Sequence, residues 1–273
     1  MIPADFAFLA RLVHRRSGIV LIENKRALIE RRLSGVLQRF GLKDLSQVLR
    51  ELRLGSEALA AAVTEAMTVS ETSFFRGSDF FHRLGAEIIP ALMEARKAEK
   101  RLRIWSAACA TGQEAYSLAM ILDSIGLAAE GWAIDFIATD ISSEAISRAE
   151  RGHYNLFETP RGLSEAHLTV WFKPDETGHG IAEHIRRSVT FRRFNLLDSY
   201  GWLDDIDLVL CRNVLIYFDG PTQASVLERM ADVMAPHGIL GLGEAEVAPS
   251  GLYQLMPGGF YSRMKAQAAR RQA

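Results

Sequence analysis

The stretch that most constrains this chain is residues 102–120, LRIWSAACATGQEAYSLAM. It opens with an apolar, β-favouring run and turns through Cys109-Ala110-Thr111-Gly112. It then continues with Tyr116, Leu118, Ala119 and Ile121 at helix-like spacing. Strand, small-residue loop, helix is the first βα unit of a doubly wound sheet. Loop amides and a helix N-terminus that converge on one point make a place for a polar ligand. Ala107, Ala108, Ala110 and Gly112 keep bulky side chains out of that space, so backbone can approach closely. The loop has one glycine, not the three of a dinucleotide fingerprint, which disfavours a nicotinamide oxidoreductase. By itself the motif fits a tight, well-packed connection equally well.

The 273 residues, 48% of them hydrophobic, suffice for one large or two smaller packed domains. A net charge of −1 argues against a molecule built to coat nucleic acid or an anionic membrane. Two cysteines, Cys109 and Cys211, make no disulfide framework. No apolar run approaches about 18 residues, so stable membrane insertion is not expected. The start MIPADFAFLARL carries no signal-peptide pattern, and a cytoplasmic location is expected. The basic C-terminal stretch RMKAQAARRQA is expected to fray.

Residues 3–67 read as short helices joined by brief turns, with Ser17-Gly18 ending the first and Gly41 the second. In the second, about residues 24–40, Ile29, Leu33, Val36, Leu37 and Phe40 share one face. Lys25, Arg32 and Arg39 recur every seven residues and form a row beside it, with Arg31 further round. Residues 1–56 hold eleven Lys/Arg against five Asp/Glu. That excess points to an acidic partner, with an ordinary solvated helix face as the bland alternative.

Residues 68–78, TVSETSFFRGS, read as a linker whose Ser70, Thr72 and Arg76 pass near the sheet's ligand edge. An arginine fork there suits a carboxylate. One of Phe74 and Phe75 is expected to pack on the sheet domain, and residues 79–97 read as a covering helix. Residues 134–139 are a buried-type strand ending in Asp140, an acid that can accept ribose hydroxyls or else cap the next helix. Residues 188–194 form the next strand, and residues 206–210 the most central one, delivering Cys211-Arg212-Asn213-Val214 to the same edge. Residues 221–234 read as a helix. Residues 237–243 and 259–264 complete the sheet as an antiparallel pair at one edge. Thr177-Gly178-His179-Gly180 reads as a turn between short strands. His153, His167, His179 and His184 lack metal-ligand spacing, so no metal site is expected.

TVSETSFFR, WSAACATGQEAYSLAM, ATDIS and LVLCRNVLIYFD, in this order behind SGIVLIENKRALIERRL, resemble the CheR-type chemotaxis receptor methyltransferases. These are S-adenosylmethionine-dependent protein-glutamate O-methyltransferases. The resemblance spans about residues 6–264, and its FFR and CRNVLIYF motifs are specific to the family. It implies an α/β fold: a doubly wound, Rossmann-like methyltransferase sheet with a small all-α N-terminal domain and a short antiparallel β insert. The implied divisions are a helical receptor-recognition domain at 1–67, a linker at 68–78 and a methyltransferase domain at 79–273 with its insert at about 160–190.

The resemblance places S-adenosylmethionine, with S-adenosylhomocysteine as product, against Ser70, Thr72, Arg76, Ala108, Glu114, Asp140, Asn195, Leu196, Arg212, Asn213 and Val214. Arg76 faces the methionine carboxylate, Glu114 the ammonium, Asp140 the ribose, and Asn195 with Leu196 the adenine. Arg212, Asn213 and Tyr217 stand at the reacting centre, Tyr217 either lining the acceptor channel or packing with Phe218 as a core aromatic. Ser70 stands where relatives commonly have asparagine, Gln113 replaces the first acid of their TGEE motif, and Ala107-Ala108 replaces Ala-Gly. The short insert argues against capture of a receptor tail peptide. Lys25, Arg31, Arg32 and Arg39 are the expected contact with the cytoplasmic helical domain of a chemoreceptor, the enzyme acting as a monomer without nucleic acid. Two other readings use the same residues: a nucleic-acid methyltransferase, for which base-stacking aromatics are lacking, and a non-catalytic cofactor-binding module.

Overall fold

The computed structural model describes residues 2–264. The basic tail from residue 265 onward lies outside the described residues, and with it most of the stretch expected to fray. Four helices come first: α1 (Pro3–Ser17), α2 (Arg26–Phe40), α3 (Leu45–Arg53) and α4 (Glu57–Ala66). Pro3 opens α1, and Gly18 closes it in the left-handed conformation (φ 77°), its N–H donating to the His14 carbonyl. Gly41 ends α2 in the same way. Ile29, Leu33 and Val36 of α2 are buried, with Leu37 and Phe40 packed against them. They join Phe6, Leu9, Val13, Val48, Leu59 and Val63 in a core separate from those of the sheet. Lys25 precedes α2, in a short 3₁₀ turn.

Residues 68–77 contain no helix. Both phenylalanines pack. Phe74 is fully buried, edge-on to Tyr154 and Phe172, while Phe75 (φ 46°) stacks on His167 at 4.8 Å. The covering helix forms as α5 (Ser78–Arg83), a π turn over Leu84–Ile88 and α6 (Ile89–Ala95). Pro90 explains the interruption: it has no N–H for the turn before it, and its ring crowds that turn.

Then come β1 (Arg101–Ala107), α7 (Gln113–Ile125), β2 (Ala133–Asp140), α8 (Ser143–Arg151), β3 (His153–Asn155), α9 (Glu165–Trp171), β4 (Phe172–Pro174) and β5 (Gly178–Ile181). The chain closes with α10 (Glu183–Arg187), β6 (Thr190–Arg193), β7 (Ile206–Cys211), α11 (Gly220–Val233), β8 (Met234–Leu242), β9 (Tyr253–Met256) and β10 (Phe260–Arg263). The main sheet runs β6-β2-β1-β7-β8-β10-β9. Its first five strands are parallel. Period-two alternation sends Leu102, Ile104, Leu208 and Leu210 to the core under α7. It sends Trp105, Ala107, Val209 and Cys211 to the core under α11. Strand order reverses between β1 and β7, which opens a crevice at their carboxyl ends.

Two expectations need correction. β8 and β10 do pair antiparallel, but β8 also pairs in parallel with β7, and the edge strand is β9. β9 is four residues long with Leu255 exposed, so it offers no apolar run to read. Gly178-His179-Gly180 is not a turn but β5, the middle strand of a small sheet β3-β5-β4. A Cβ on Gly178 would lie 2.1 Å from the Tyr154 carbonyl, so this glycine permits close strand approach. The turn is Asp175–Thr177, where Asp175 Oδ1 accepts from the Thr177 and Gly178 amides. β3 also lies ahead of residue 160, so the small sheet begins before the expected insert.

Candidate active site

The crevice between β1 and β7 holds a pocket of about 900 Å³, part of it open to solvent. Its lining includes every residue proposed from sequence for the cofactor and the reacting centre: Ser70, Thr72, Arg76, Ala108, Glu114, Asp140, Asn195, Leu196, Arg212, Asn213, Val214 and Tyr217. Residues as far apart in the chain as Ser70 and Tyr217 thus reach one cavity because parallel strands end on the same side. Ser17 and Ile19, just after α1, complete the wall. They are held there by an Ile19–Phe218 bridge and by the Val20 N–H donating to the Tyr217 carbonyl at 2.8 Å.

The loop after β1 is tightly determined. Gly112 (φ 95°) lies where a Cβ would be 2.9 Å from Ala149 Cβ. Ala108 (φ 58°) and Ala110 (φ 51°) also take left-handed backbone, a conformation that costs an alanine roughly 1–2 kcal/mol. The Ala110 N–H does not point to open space. It donates to Asp140 Oδ2 at 2.9 Å, while the Ser142 N–H donates to Oδ1 at 2.9 Å. Asp140 is nearly buried, and burial pushes its carboxyl above the ordinary range against the pull of those two N–H groups. Each of its oxygens keeps acceptor capacity beyond the one bond shown.

Glu114, in the first turn of α7, accepts from Ser106 Oγ at 3.0 Å and from Arg212 Nη1 at 3.2 Å. Burial raises its carboxyl, and the Arg212 charge partly offsets this. Arg212 lies 4.0 Å above the Phe80 ring and donates through Nη2 to the Arg76 carbonyl at 2.8 Å. Its Nε is buried without a partner among the described residues. The exposed Arg76 donates to the Glu71 carbonyl at 3.2 Å. Asn195 is less free than expected: its Nδ2 donates to the Arg16 carbonyl of α1 at 2.7 Å, and its Oδ1 accepts from the Leu197 N–H.

Glu246 was not among the residues expected from sequence. Its buried carboxylate accepts four backbone N–H groups, from Gly243, Asn213, Val214 and Leu215, at 2.8–2.9 Å. An acid three residues beyond a glycine at a strand end was the only signal available. Cys109 and Cys211 are buried free thiols, and burial pushes both well above the ordinary range, so neither is poised as a nucleophile. His153 pairs with Asp175, His184 with Asp123, His167 forms a capping box with Ser164, and His179 meets Thr159.

Of the basic row, Lys25, Arg31 and Arg39 are exposed, whereas Arg32 is tied to the Met67 carbonyl at 3.0 Å. Arg32 and Arg39 line a second cleft with Glu65, Glu144 and Arg148. Glu65 Oε1 bridges there to Ser142 Oγ and the Glu144 N–H, joining α4 to the start of α8.

Comparison with known proteins agrees with this geometry. Residues 4–68 match the model for the CheR methyltransferase all-alpha domain, and residues 70–257 that for the CheR methyltransferase SAM binding domain. The chain is 37% identical to chemotaxis protein methyltransferase 1 of Pseudomonas aeruginosa, over 89% of this chain and 90% of that one. It is 36% identical to chemotaxis protein methyltransferase Cher2 of Pseudomonas putida, over 94% and 97%. Chemotaxis protein methyltransferase 1 of Vibrio cholerae is 36% identical over 89% and 88%. With both domains matched in order around the pocket at the β1/β7 crevice, the chain belongs to the CheR methyltransferase family.

Proposed function

We propose that this protein transfers a methyl group from S-adenosylmethionine to glutamate side chains on the cytoplasmic helical domain of a chemoreceptor. The observation that carries the reading is the donor set of the β1/β7 pocket. Asp140 presents acceptor capacity at the end of β2, where ribose hydroxyls are bound in such folds. Glu114 and Arg212 form a buried pair, and the unpartnered Arg212 Nε leaves a donor available beside the pocket. Bound there, S-adenosylmethionine supplies an electrophilic methyl on a sulfonium. Asp140 and Glu114 suit its ribose and ammonium, Arg76 its carboxylate, Leu196 and the Asn195 backbone its adenine. Ser70, Thr72 and Ala108 close the remaining wall.

A glutamate acceptor has an ordinary pKa of about 4.3 and is ionised at neutral pH, so it needs no general base. The chain's task is placement, which is worth on the order of 7–11 kcal/mol when reacting groups are held in near-attack geometry. Arg212, Asn213 and Tyr217 border the place where the acceptor enters. This accounts for a site without a His, Cys or carboxyl dyad set for proton transfer. The exposed Lys25, Arg31 and Arg39 give the helical domain a basic face for an acidic helical partner, and the cytoplasm is where such a partner presents it.

The test is incubation of purified receptor cytoplasmic fragments with isotope-labelled S-adenosylmethionine, followed by peptide mass spectrometry. Base-labile methyl esters on glutamates are expected. Label on nucleic acid instead, or on no acceptor despite cofactor binding, overturns the reading. Lys25→Glu with Arg31→Glu is expected to raise the receptor KM at least fivefold with unchanged cofactor affinity.

A further inference from the structure

We infer that Glu246 is a positioning residue for methyl transfer, acting through the turn at Asn213. The inference rests on the function proposed above. Glu246 does not line the pocket. It lies behind the wall formed by Arg212, Asn213 and Val214. Asn213 takes left-handed backbone (φ 60°), which turns three successive N–H groups, of Asn213, Val214 and Leu215, toward one point. Such a concave run of amides attracts an anion. In this protein the anion is the chain's own carboxylate: Oε2 accepts from Asn213 and Gly243, and Oε1 from Val214 and Leu215.

Two consequences follow. The amides face away from the pocket, so the turn offers the pocket its side chains rather than its donors. The carboxylate also ties the turn after β7 to the turn after β8, since Gly243 follows β8 directly. The tie is tight. A Cβ on Gly243 would lie 2.7 Å from Glu246 Oε2 and 2.8 Å from Asn213 Nδ2. Among the described residues no side-chain cation pairs with Glu246. Its negative charge therefore adds to that of Asp140 beside a pocket suited to a ligand with cationic groups.

Glu246→Gln tests this sharply. The amide is nearly isosteric, but its NH2 must face two backbone donors wherever it is placed. With the proposed receptor acceptor, kcat is expected to fall at least tenfold while the receptor KM stays within twofold. In an Asn213→Ala background the same change is expected to cost less than threefold, because both act through one turn. Independently of any acceptor, adenosylhomocysteine affinity by calorimetry is expected to weaken at least fivefold, with Glu244→Gln as an exposed control that changes nothing. Failure of the function proposed above leaves this binding arm intact. If Glu246→Gln does not fold, Gly243→Ala disturbs the same contacts without touching the charge and is expected to weaken binding likewise. In the unmodified protein the amides of Asn213, Val214 and Leu215 are expected to exchange hydrogen slowly. Fast exchange there, wild-type binding and turnover in a folded variant, or full additivity with Asn213→Ala overturns the inference.

Discussion

The two ends of the parallel sheet treat buried acids differently. At the amino end, Asp207 near the start of β7 is fully buried, with the Arg96 guanidinium against it. It accepts from Arg96 Nε at 2.7 Å, meets His237 Nε2 at 2.7 Å, and takes the Arg103 N–H at 2.8 Å. At the carboxyl end, among the described residues, Asp140 and Glu246 are held by backbone N–H groups, and of these buried acids Glu114 is the one paired with a cation. Backbone dipoles stabilise an anion without cancelling its charge. The amino end is thus close to neutral within the fold, while the carboxyl end retains negative charge for a ligand with positive groups. The number of amides separates the roles at that end. Four leave the Glu246 carboxylate little capacity for a ligand; two leave Asp140 some.

The largest expected effect lies at the amino end. Asp207→Asn leaves Arg96 with only the exposed Asp205 as counter-charge, and breaking a buried pair costs up to about 3–5 kcal/mol. Denaturant unfolding is expected to show that loss with cofactor affinity of the folded protein unchanged. A loss of affinity without a loss of stability would erase the contrast between the ends.

Asp140→Asn is the converse. Hydrogen bonds to a charged group are worth about 1.5–3 kcal/mol, so adenosylhomocysteine affinity is expected to fall about tenfold to a hundredfold. Stability is expected to respond to pH in a particular direction. Burial holds the Asp140 carboxyl above its unfolded value of about 3.9. Its contribution is therefore fully present below that value and is lost as pH rises through the raised folded value. Removing the group removes that loss, so between pH 4 and pH 7 the thermal midpoint of the variant is expected to gain on the wild type. A constant difference between them across that range would place the Asp140 charge in a solvated environment.

The smallest effect is expected at Ala108. Glycine relieves the left-handed strain, and it costs about 0.5–1 kcal/mol of unfolded-chain entropy. Ala108→Gly is therefore expected to stabilise by at most about 1.5 kcal/mol in thermal unfolding. A clear loss would mean that the Ala108 methyl, which packs against the core under α11, outweighs the strain.

Much of this was legible in the residues. β1, β2 and β7 follow from apolar runs, the end of α1 from Ser17-Gly18 and the end of α2 from Gly41. The pocket lining was implied by the family resemblance, and it is brought together because every parallel strand delivers its successor loop to one edge. β9 was not legible, being short and exposed, and neither was β5, whose glycines read as a turn. Glu246 escaped notice because its importance lies in four amides from two separated segments.

The sequence by itself determined which segments become strands and helices and which loop follows each, since period and turn chemistry are local. Tertiary structure alone decided which groups there remain free: Asn195 was taken by Arg16 of α1, the Ala110 amide by Asp140, and the turn at Asn213 by Glu246. A hydrogen-bond donor or acceptor is available only if no neighbour has claimed it, and the neighbours are set by packing across the whole chain.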